Sequence, residues 1–346
     1  MRLILYVLSL IYSIIISSRN TLFDYGIFKS KLINIPTICI GNLSTGGNGK
    51  TPLTNYIAKI LSKNYNVAIL SRGYGRLSKG FYLVNTNSDP LDAGDEPLQL
   101  KISNPDCIVA VNSNRHKGII KIMKKYPHTE VILMDDGFQH RWVRAGLNII
   151  VSTYQNLYVN DNLLPLGTLR EPKKEAKRAE IIIVSKTPCN LNQDQKRNII
   201  KNLKLKNNQT GYISYIKYSK YKCIFDNTEL KNEGDYSITL ITGIVNYNLL
   251  VEHLKKLDRK VNLLKYPDHH NYSNKDINDI LLAYKRDKNT KKLILTTEKD
   301  ATKIRKFDIK FKDVKVYFIP IEVIFLNTLE KVMYLQSQVY LVLMQK

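Results

Sequence analysis

The chain has 346 residues, of which 44% are hydrophobic, and a formal net charge of +23. That length admits two domains and a real core. The charge favours polyanionic partners (nucleic acid, an anionic membrane surface or phosphorylated substrates), although scattered lysines also arise from a Lys/Asn/Ile-rich composition. Cys39, Cys107, Cys189 and Cys223 form no C-x-x-C pair and have no histidine spacing suited to zinc, so a zinc scaffold is excluded and a reduced cytoplasmic compartment fits.

Residues 3 to 16 are an almost unbroken apolar run, LILYVLSLIYSIII, between Arg2 and Arg19. A helix needs roughly 20 apolar residues to cross a bilayer, and this run is shorter. Ser17-Ser18-Arg19 is a poor cleavage site, which argues against a signal peptide. A helix lying on a membrane, with the two arginines at the headgroups, is favoured over a buried core helix because the run is apolar all round.

Ile35 to Ile60 reads as a strand, a glycine-rich turn, Lys-Thr and a helix, the layout of a phosphate-binding loop. The loop is Ser44-Thr45-Gly46-Gly47-Asn48-Gly49-Lys50-Thr51, with Ser44 where the first glycine of that pattern belongs. Its backbone N–H groups would cradle a polyphosphate at the helix N-terminus. Lys50 would reach the outer phosphates, and the Thr51 hydroxyl would ligate Mg²⁺.

Strand-like and helix-like segments then alternate. Asn66 to Ser71 reads as a strand ending in Arg72-Gly73-Tyr74-Gly75-Arg76. Phe81 to Val84 is a short strand, and Ala93-Gly94-Asp95-Glu96-Pro97 precedes a helix. Cys107 to Val111 is a strand, and Asn114-Arg115-His116 opens the next helix. Val131 to Met134 leads into Asp135-Asp136-Gly137, and Leu147 to Val151 and Ile181 to Val184 continue the series. Alternation of this kind indicates an α/β domain with a largely parallel sheet, here of P-loop NTPase type. A polar stretch over 190–208 suggests a surface helix, and 210–225 an antiparallel ribbon or hinge. A second, smaller α/β series has strands at 237–242, 261–264, 292–297 and 314–319, with helices near 246–256 and 274–286. Glu322 to Gln345 reads as one packed helix. The expected organisation is a membrane-associating helix (1–20), a P-loop core (21–209), a β hinge (210–228) and a second α/β domain (229–346), whose last helix could pack back on the core.

Four apolar residues ending in Asp135-Asp136 form a Walker B pattern, with a carboxylate at a strand tip facing the phosphate loop and its Mg²⁺. An ordinary Asp-Gly turn would look the same in isolation. Asp95 and Glu96 read either as a helix N-terminus with Pro in its first turn or as carboxylates at the edge of the nucleotide site. His269 and His270, just after a strand of the second series, could assist such a carboxylate. Ser185-Lys186-Thr187-Pro188 stands where guanine-specific P-loop proteins carry a tetrad ending in Asp, and it ends in Pro. Thr45 replaces the signature Lys of partitioning ATPases. Both features leave an ATP-dependent enzyme in front.

The ordered set GNLSTGGNGKTP (41–52), SRGYGR (71–76), AGDEP (93–97), Arg115, MDDGFQHR (134–141), PLGTLREP (165–172), PDHH (267–270) and TTEKDA (296–301) resembles the tetraacyldisaccharide 4′-kinase family, the lipid A 4′-kinases of Gram-negative bacteria. The resemblance implies two α/β/α domains joined by a β hinge. It implies transfer from ATP, with Mg²⁺, to the 4′-hydroxyl of an acylated disaccharide 1-phosphate at the cytoplasmic face of the inner membrane. Asp95 would then be the catalytic base and His269 its partner. Lys50 and Thr51 would serve the phosphates and Mg²⁺, with Asp135, Asp136 and Glu96 near the metal. Arg72, Tyr74, Arg115 and Arg170 would meet phosphates or the anionic substrate. A monomer acting without nucleic acid is expected. The competing expectation is a P-loop regulatory or chaperone NTPase with a protein or nucleic acid partner.

Overall fold

The structure is a computed structural model that describes residues 2–232 and 234–342. Met1, Glu233 and residues 343–346, the outer ends of the expected terminal helices among them, lie outside the described residues. Helix α1 (Arg2–Asp24) comes first. The first body follows with β1 (Thr37–Gly41), α2 (Lys50–Leu61), β2 (Val67–Ser71), β3 (Tyr82–Val84), α3 (Pro90–Ala93), α4 (Asp95–Ser103), β4 (Ile108–Val111) and α5 (Arg115–Lys125). It continues with β5 (Val131–Asp135), β6 (Leu147–Thr153), β7 (Ile181–Ser185), α6 (Gln193–Asn202) and β8 (Thr210–Tyr218). The second body holds β9 (Lys222–Cys223), β10 (Ser237–Thr242), α7 (Asn248–Lys256), β11 (Val261–Lys265), α8 (Asn274–Arg286), β12 (Lys292–Thr297), α9 (Glu298–Ile304) and β13 (Val316–Ile319). The chain returns through β14 (Ile321–Phe325) and α10 (Leu329–Leu341).

Among the described residues the first sheet has the order β14-β8-β7-β6-β1-β5-β2-β4-β3 and the second β11-β10-β12-β13-β9. Each sheet is parallel except at its edges, where β3, β9 and β14 run antiparallel to their neighbours. The central strands are buried throughout, as β1, β2, β5, β7 and β10 show, and this is why all but the Ser/Thr-containing β10 read as near-continuous apolar runs. Both faces of each sheet carry their own apolar core. The expected α/β fold with a P-loop-like sheet, a smaller second sheet and an N-terminal apolar helix is therefore present.

Two readings need correction. From Ile321 the chain forms an edge strand, bonded to β8 over Ile321–Phe325, before any helix begins. Residues 321–342 consequently complete the first body: Leu335, Val339 and Val342 sit in its core, and Tyr340 donates to the Ile60 carbonyl at the end of α2. The 210–225 segment, expected as an antiparallel ribbon or hinge, does not fold into a ribbon on itself. Its β8 pairs parallel with β7 and antiparallel with β14, while β9 belongs to the second sheet.

Helix α1 extends past its apolar run to Asp24. It turns a sparsely polar side toward the protein. Ser9 donates to the Leu163 carbonyl (3.0 Å), Tyr12 to that of Arg170 (2.9 Å) and Arg19 to that of Gln139 (2.7 Å). Leu3, Ile4, Val7, Leu10, Ile11, Ile14 and Ile15 point outward and are exposed.

Candidate active site

The loop between β1 and α2 is shaped by glycine where the backbone must turn left-handed. Gly49, at φ +88°, delivers the chain into α2 at Lys50, a conformation that costs a side-chain-bearing residue strain. Asn48 ties the loop from inside, its amide donating to Ser44 Oγ (3.2 Å) and to the Ser44 and Gly46 carbonyls (3.3 Å each). Asn42 adds a bond to the Ser44 carbonyl (2.6 Å). These bonds engage Ser44 through groups a glycine also has and through its hydroxyl, so serine is accommodated at the glycine position.

Opposite the loop, β5 ends in Asp135, and Asp136 follows it. Asp136 is paired twice, with Lys50 Nζ at 3.5 Å and with the Arg170 guanidinium, whose two nitrogens lie 2.9 and 3.3 Å from its oxygens. Burial alone would raise its pKa, but Lys50 and Arg170 outweigh that and hold it well below the usual carboxylate range. Asp135 is its opposite. One oxygen accepts the Thr54 hydroxyl (2.9 Å), and the other, Oδ2, is buried without a hydrogen-bond partner. Burial, with Glu96 and Asp136 nearby, pushes Asp135 up to about 7.

A carboxylate so placed is short of a cation. Thr51, Asp135 and Glu96 therefore fit a Mg²⁺ that a nucleotide brings with it, since such ions need only one or two carboxylates besides phosphate and water. Asp136, already satisfied by two cations, suits that ion less. Among the described residues there is no cluster of three or more His, Cys, Asp or Glu side chains able to hold a metal unaided.

Arg115, expected to meet phosphate or substrate, is engaged with backbone beside the two aspartates. It is 1% exposed, and its guanidinium donates to the carbonyls of Asn112 (2.9 Å) and Asp136 (3.1 Å), so it braces the end of β5. Arg72 is exposed, and Tyr74 is exposed with its ring 5.3 Å from that of His269. These two rim the cleft.

Asp95 opens α4. Its predecessor Gly94 has φ +87° and ψ 145°, and a Cβ there would sit 3.3 Å from the Gly73 Cα, so glycine permits the close approach of the two loops. Across the cleft, His269 Nδ1 is 2.9 Å from Asp95 Oδ2, joining the two bodies. His270 points away, to Asp276 (3.1 Å). Helix α9 adds two lysines that sequence reasoning assigned no role. Lys303 Nζ lies 2.9 Å from Asp95 Oδ2, and Lys299 Nζ lies 3.1 Å from His269 Nε2 and 3.8 Å from Glu96. Both sit in or just after the TTEKDA stretch, four apart on one helix face after a buried strand, which was the available signal. Burial raises Asp95, yet the His269 hydrogen bond and the two lysines hold it below the usual range.

The Asp95 hydrogen bond raises His269 above its ordinary value, against the effect of burial. The pair's stabilisation is thus fully present below the unfolded histidine pKa of about 6.5 and fades as pH rises through the folded value. It also fades in acid, where Asp95 protonates. His269→Ala is expected to cost about 2 kcal/mol in urea unfolding near pH 5.5, and less near pH 9. Equal costs at the two pH values would refute a charged pair.

A family model described as Tetraacyldisaccharide-1-P 4'-kinase matches residues 1–339. The curated tetraacyldisaccharide 4'-kinase of Bacteroides thetaiotaomicron is 40% identical over 333 residues, covering 92% of this chain and 88% of that one. That of Flavobacterium johnsoniae is 39% identical over 331 residues, covering 94% of each. Among solved structures, LpxK from Aquifex aeolicus in complex with ATP has a TM-score of 0.77 and 29% identity, covering 99% of each chain.

Proposed function

The chain belongs to the tetraacyldisaccharide-1-P 4'-kinase family, and from that premise we propose that it transfers the γ-phosphoryl group of ATP to the 4′-hydroxyl of an acylated disaccharide 1-phosphate, giving ADP and the 4′-phosphorylated lipid. The observation that carries this reading is the Asp95–His269 pair, a buried carboxylate from one body and an imidazole from the other, next to Glu96, which lies within electrostatic reach of Lys50. A nucleotide switch has no need of such a pair outside its Walker motifs.

In this mechanism the loop amides and Lys50 hold the phosphates of ATP, and Lys50 neutralises charge that develops on the transferred group. Thr51, Asp135 and Glu96 would hold a Mg²⁺ that supplies further charge neutralisation when bound. Asp95 positions the acceptor hydroxyl and takes its proton. Its depressed pKa makes it a weak base, which suits a loose transition state in which the proton leaves late. His269 orients the carboxylate and shares the proton load, and Lys299 and Lys303 fix both partners. Arg72 and Tyr74, at the rim, face the anionic acceptor. Both halves of the pair come from one chain, which fits a monomer.

Membrane attachment is part of the same reading. The α1 side that faces outward is the apolar one, the reverse of a helix packed on a soluble protein. An acylated substrate leaves a bilayer only at about 0.8 kcal/mol per exposed CH₂, so the enzyme comes to it. The helix and the basic surface supply two weak anchors at the cytoplasmic face of the inner membrane, where ATP is available. Ile11→Asp with Ile15→Asp, both at exposed positions, should reduce co-sedimentation with anionic vesicles about ten-fold or more while leaving folding intact. Undiminished binding would place the anchor on the basic surface alone. The reaction itself is tested with ATP and a tetraacylated disaccharide 1-phosphate. The expected product is a lipid with one more phosphate, and release of free phosphate alone would overturn the reading.

A further inference from the structure

The turn from β10 into α7 takes no part in the transfer described above, yet groups that suit an anion converge on it. β10 and β11 pair in parallel with Thr242 opposite Lys265, so these two side chains share one face of the second sheet. It is the face covered by α7, because Ile238 and Leu240, of the same parity as Thr242, pack with Leu250 and Leu254. Thr242 is fully buried there, where α7 begins, and its hydroxyl finds no hydrogen-bond partner among the described residues. Tyr247, at the N-cap of α7, makes no capping bond with its side chain, so the positive end of the helix lacks a side-chain acceptor. The Lys265 ammonium lies 4.9 Å from the centroid of the Tyr247 ring.

The turn itself is fixed. A Cβ on Gly243 would stand 3.0 Å from the Pro267 carbonyl oxygen and 3.0 Å from Asp300 Oδ1, so only glycine fits without displacing a neighbour. Asp300 accepts the Gly243 N–H (3.0 Å) and the hydroxyls of Thr297 (2.7 Å) and Tyr272 (3.2 Å). Its carboxylate is thus engaged by three donors, and Tyr272 belongs to the core on the other face, with Ile277 and Ile280 of α8. β10 has β11 on one side and β12 on the other, so the turn stands where the strand order reverses, a usual place for a phosphate in an open parallel sheet. The same carboxyl edge carries the reacting pair's partners. β11 ends at Lys265 and the chain runs on through Pro267 to His269, while β12 leads into Lys299.

We propose that the Thr242 hydroxyl, the Lys265 ammonium and the N-terminus of α7 form a phosphate-monoester site that takes the 1-phosphate of the acceptor. This rests on the lipid-kinase reading and names the group by which the second body recognises its substrate. With the reacting hydroxyl at Asp95, the other end of the disaccharide lies along the carboxyl edge of the second sheet. A phosphate there supplies the acceptor that Thr242 lacks and the negative charge that Lys265 and the helix end favour. The site is separate from the phosphate loop, which belongs to the first body.

The test is steady-state kinetics with two acceptors, the tetraacylated disaccharide 1-phosphate and the same lipid with a free 1-hydroxyl, for wild type, Lys265→Met and Thr242→Val. Wild type should prefer the phosphorylated acceptor by about 10²-fold in kcat/KM, and each variant should cut that preference about ten-fold. The loss should appear in KM for the phosphorylated acceptor, with KM for ATP unmoved. Valine keeps the shape of threonine and removes an unpaired hydroxyl, so a purely structural threonine predicts an equal or higher Tm and unchanged kinetics. Inorganic phosphate should compete with the phosphorylated acceptor and not with the other; competition with both alike places the anion at the transfer centre and overturns the site. Equal use of the two acceptors by wild type, or variants that keep its preference, overturns the site while the kinase reading stands. A wild-type protein that phosphorylates neither acceptor overturns the kinase reading and this one with it.

Discussion

Asp95→Asn should lower kcat by about 10³-fold while ATP affinity stays unchanged, because a general base acts on the acceptor and touches no phosphate. Asparagine keeps the shape and one acceptor oxygen, so the Glu96 N–H bond at 3.0 Å can persist. It removes the charge that faces Lys303, whose side chain is 5% exposed and 2.9 Å away. A buried ammonium left without its partner costs about 3–5 kcal/mol, so a fall in stability is expected alongside the fall in rate. Combining Asp95→Asn with Lys303→Met separates the two effects. Stability should return, and activity should not. A single mutant that folds normally and loses ATP binding would move Asp95 into the nucleotide site.

Lys50→Ala is expected to weaken ATP binding and to reduce kcat by about 10²–10³-fold, the usual cost of removing a fixed positive group from a transferring phosphoryl. The fold should tolerate it. Lys50 pairs with Asp136 at 3.5 Å, and Asp136 retains the Arg170 clamp when the lysine is gone. Steady-state kinetics and equilibrium nucleotide binding check both halves, and unchanged turnover would end the phosphate-loop assignment.

Elements with a strong local cause were legible in the sequence. Ser237–Thr242 and Lys292–Thr297 are strands at their expected bounds, since short runs rich in Ile, Leu and Thr suit a strand packed on both faces and have little use elsewhere. The phosphate loop was legible because its glycines and Lys-Thr are contiguous. Ile321–Phe325 was misread because an edge strand bonded on one side carries no such signature, and its apolar residues merge with those of the following helix. Partners far apart in sequence were out of reach of spacing alone. Asp95 and His269 are 174 positions apart, and only the family resemblance singled out these two from the candidate carboxylates and histidines. Arg115 shows the opposite difficulty: an arginine before a helix reads the same whether its fork meets a phosphate or, as here, backbone carbonyls. Lys299 and Lys303 went unassigned because a lysine pair on a helix face is usually solvated.

The return of β14 and α10 to the first body also sets a timetable. The phosphate loop is complete by Thr51, but the sheet behind it waits for Ile321–Phe325, and helix α2 waits for Tyr340 and the ring contact of Tyr340 with Tyr65. On a ribosome adding about 5–20 residues each second, the second body can emerge and fold while the nucleotide half still shows the open edge of β8 and an uncovered apolar face. The half that begins the chain is the last to be finished, so a nascent chain broken off anywhere before residue 321 leaves it incomplete.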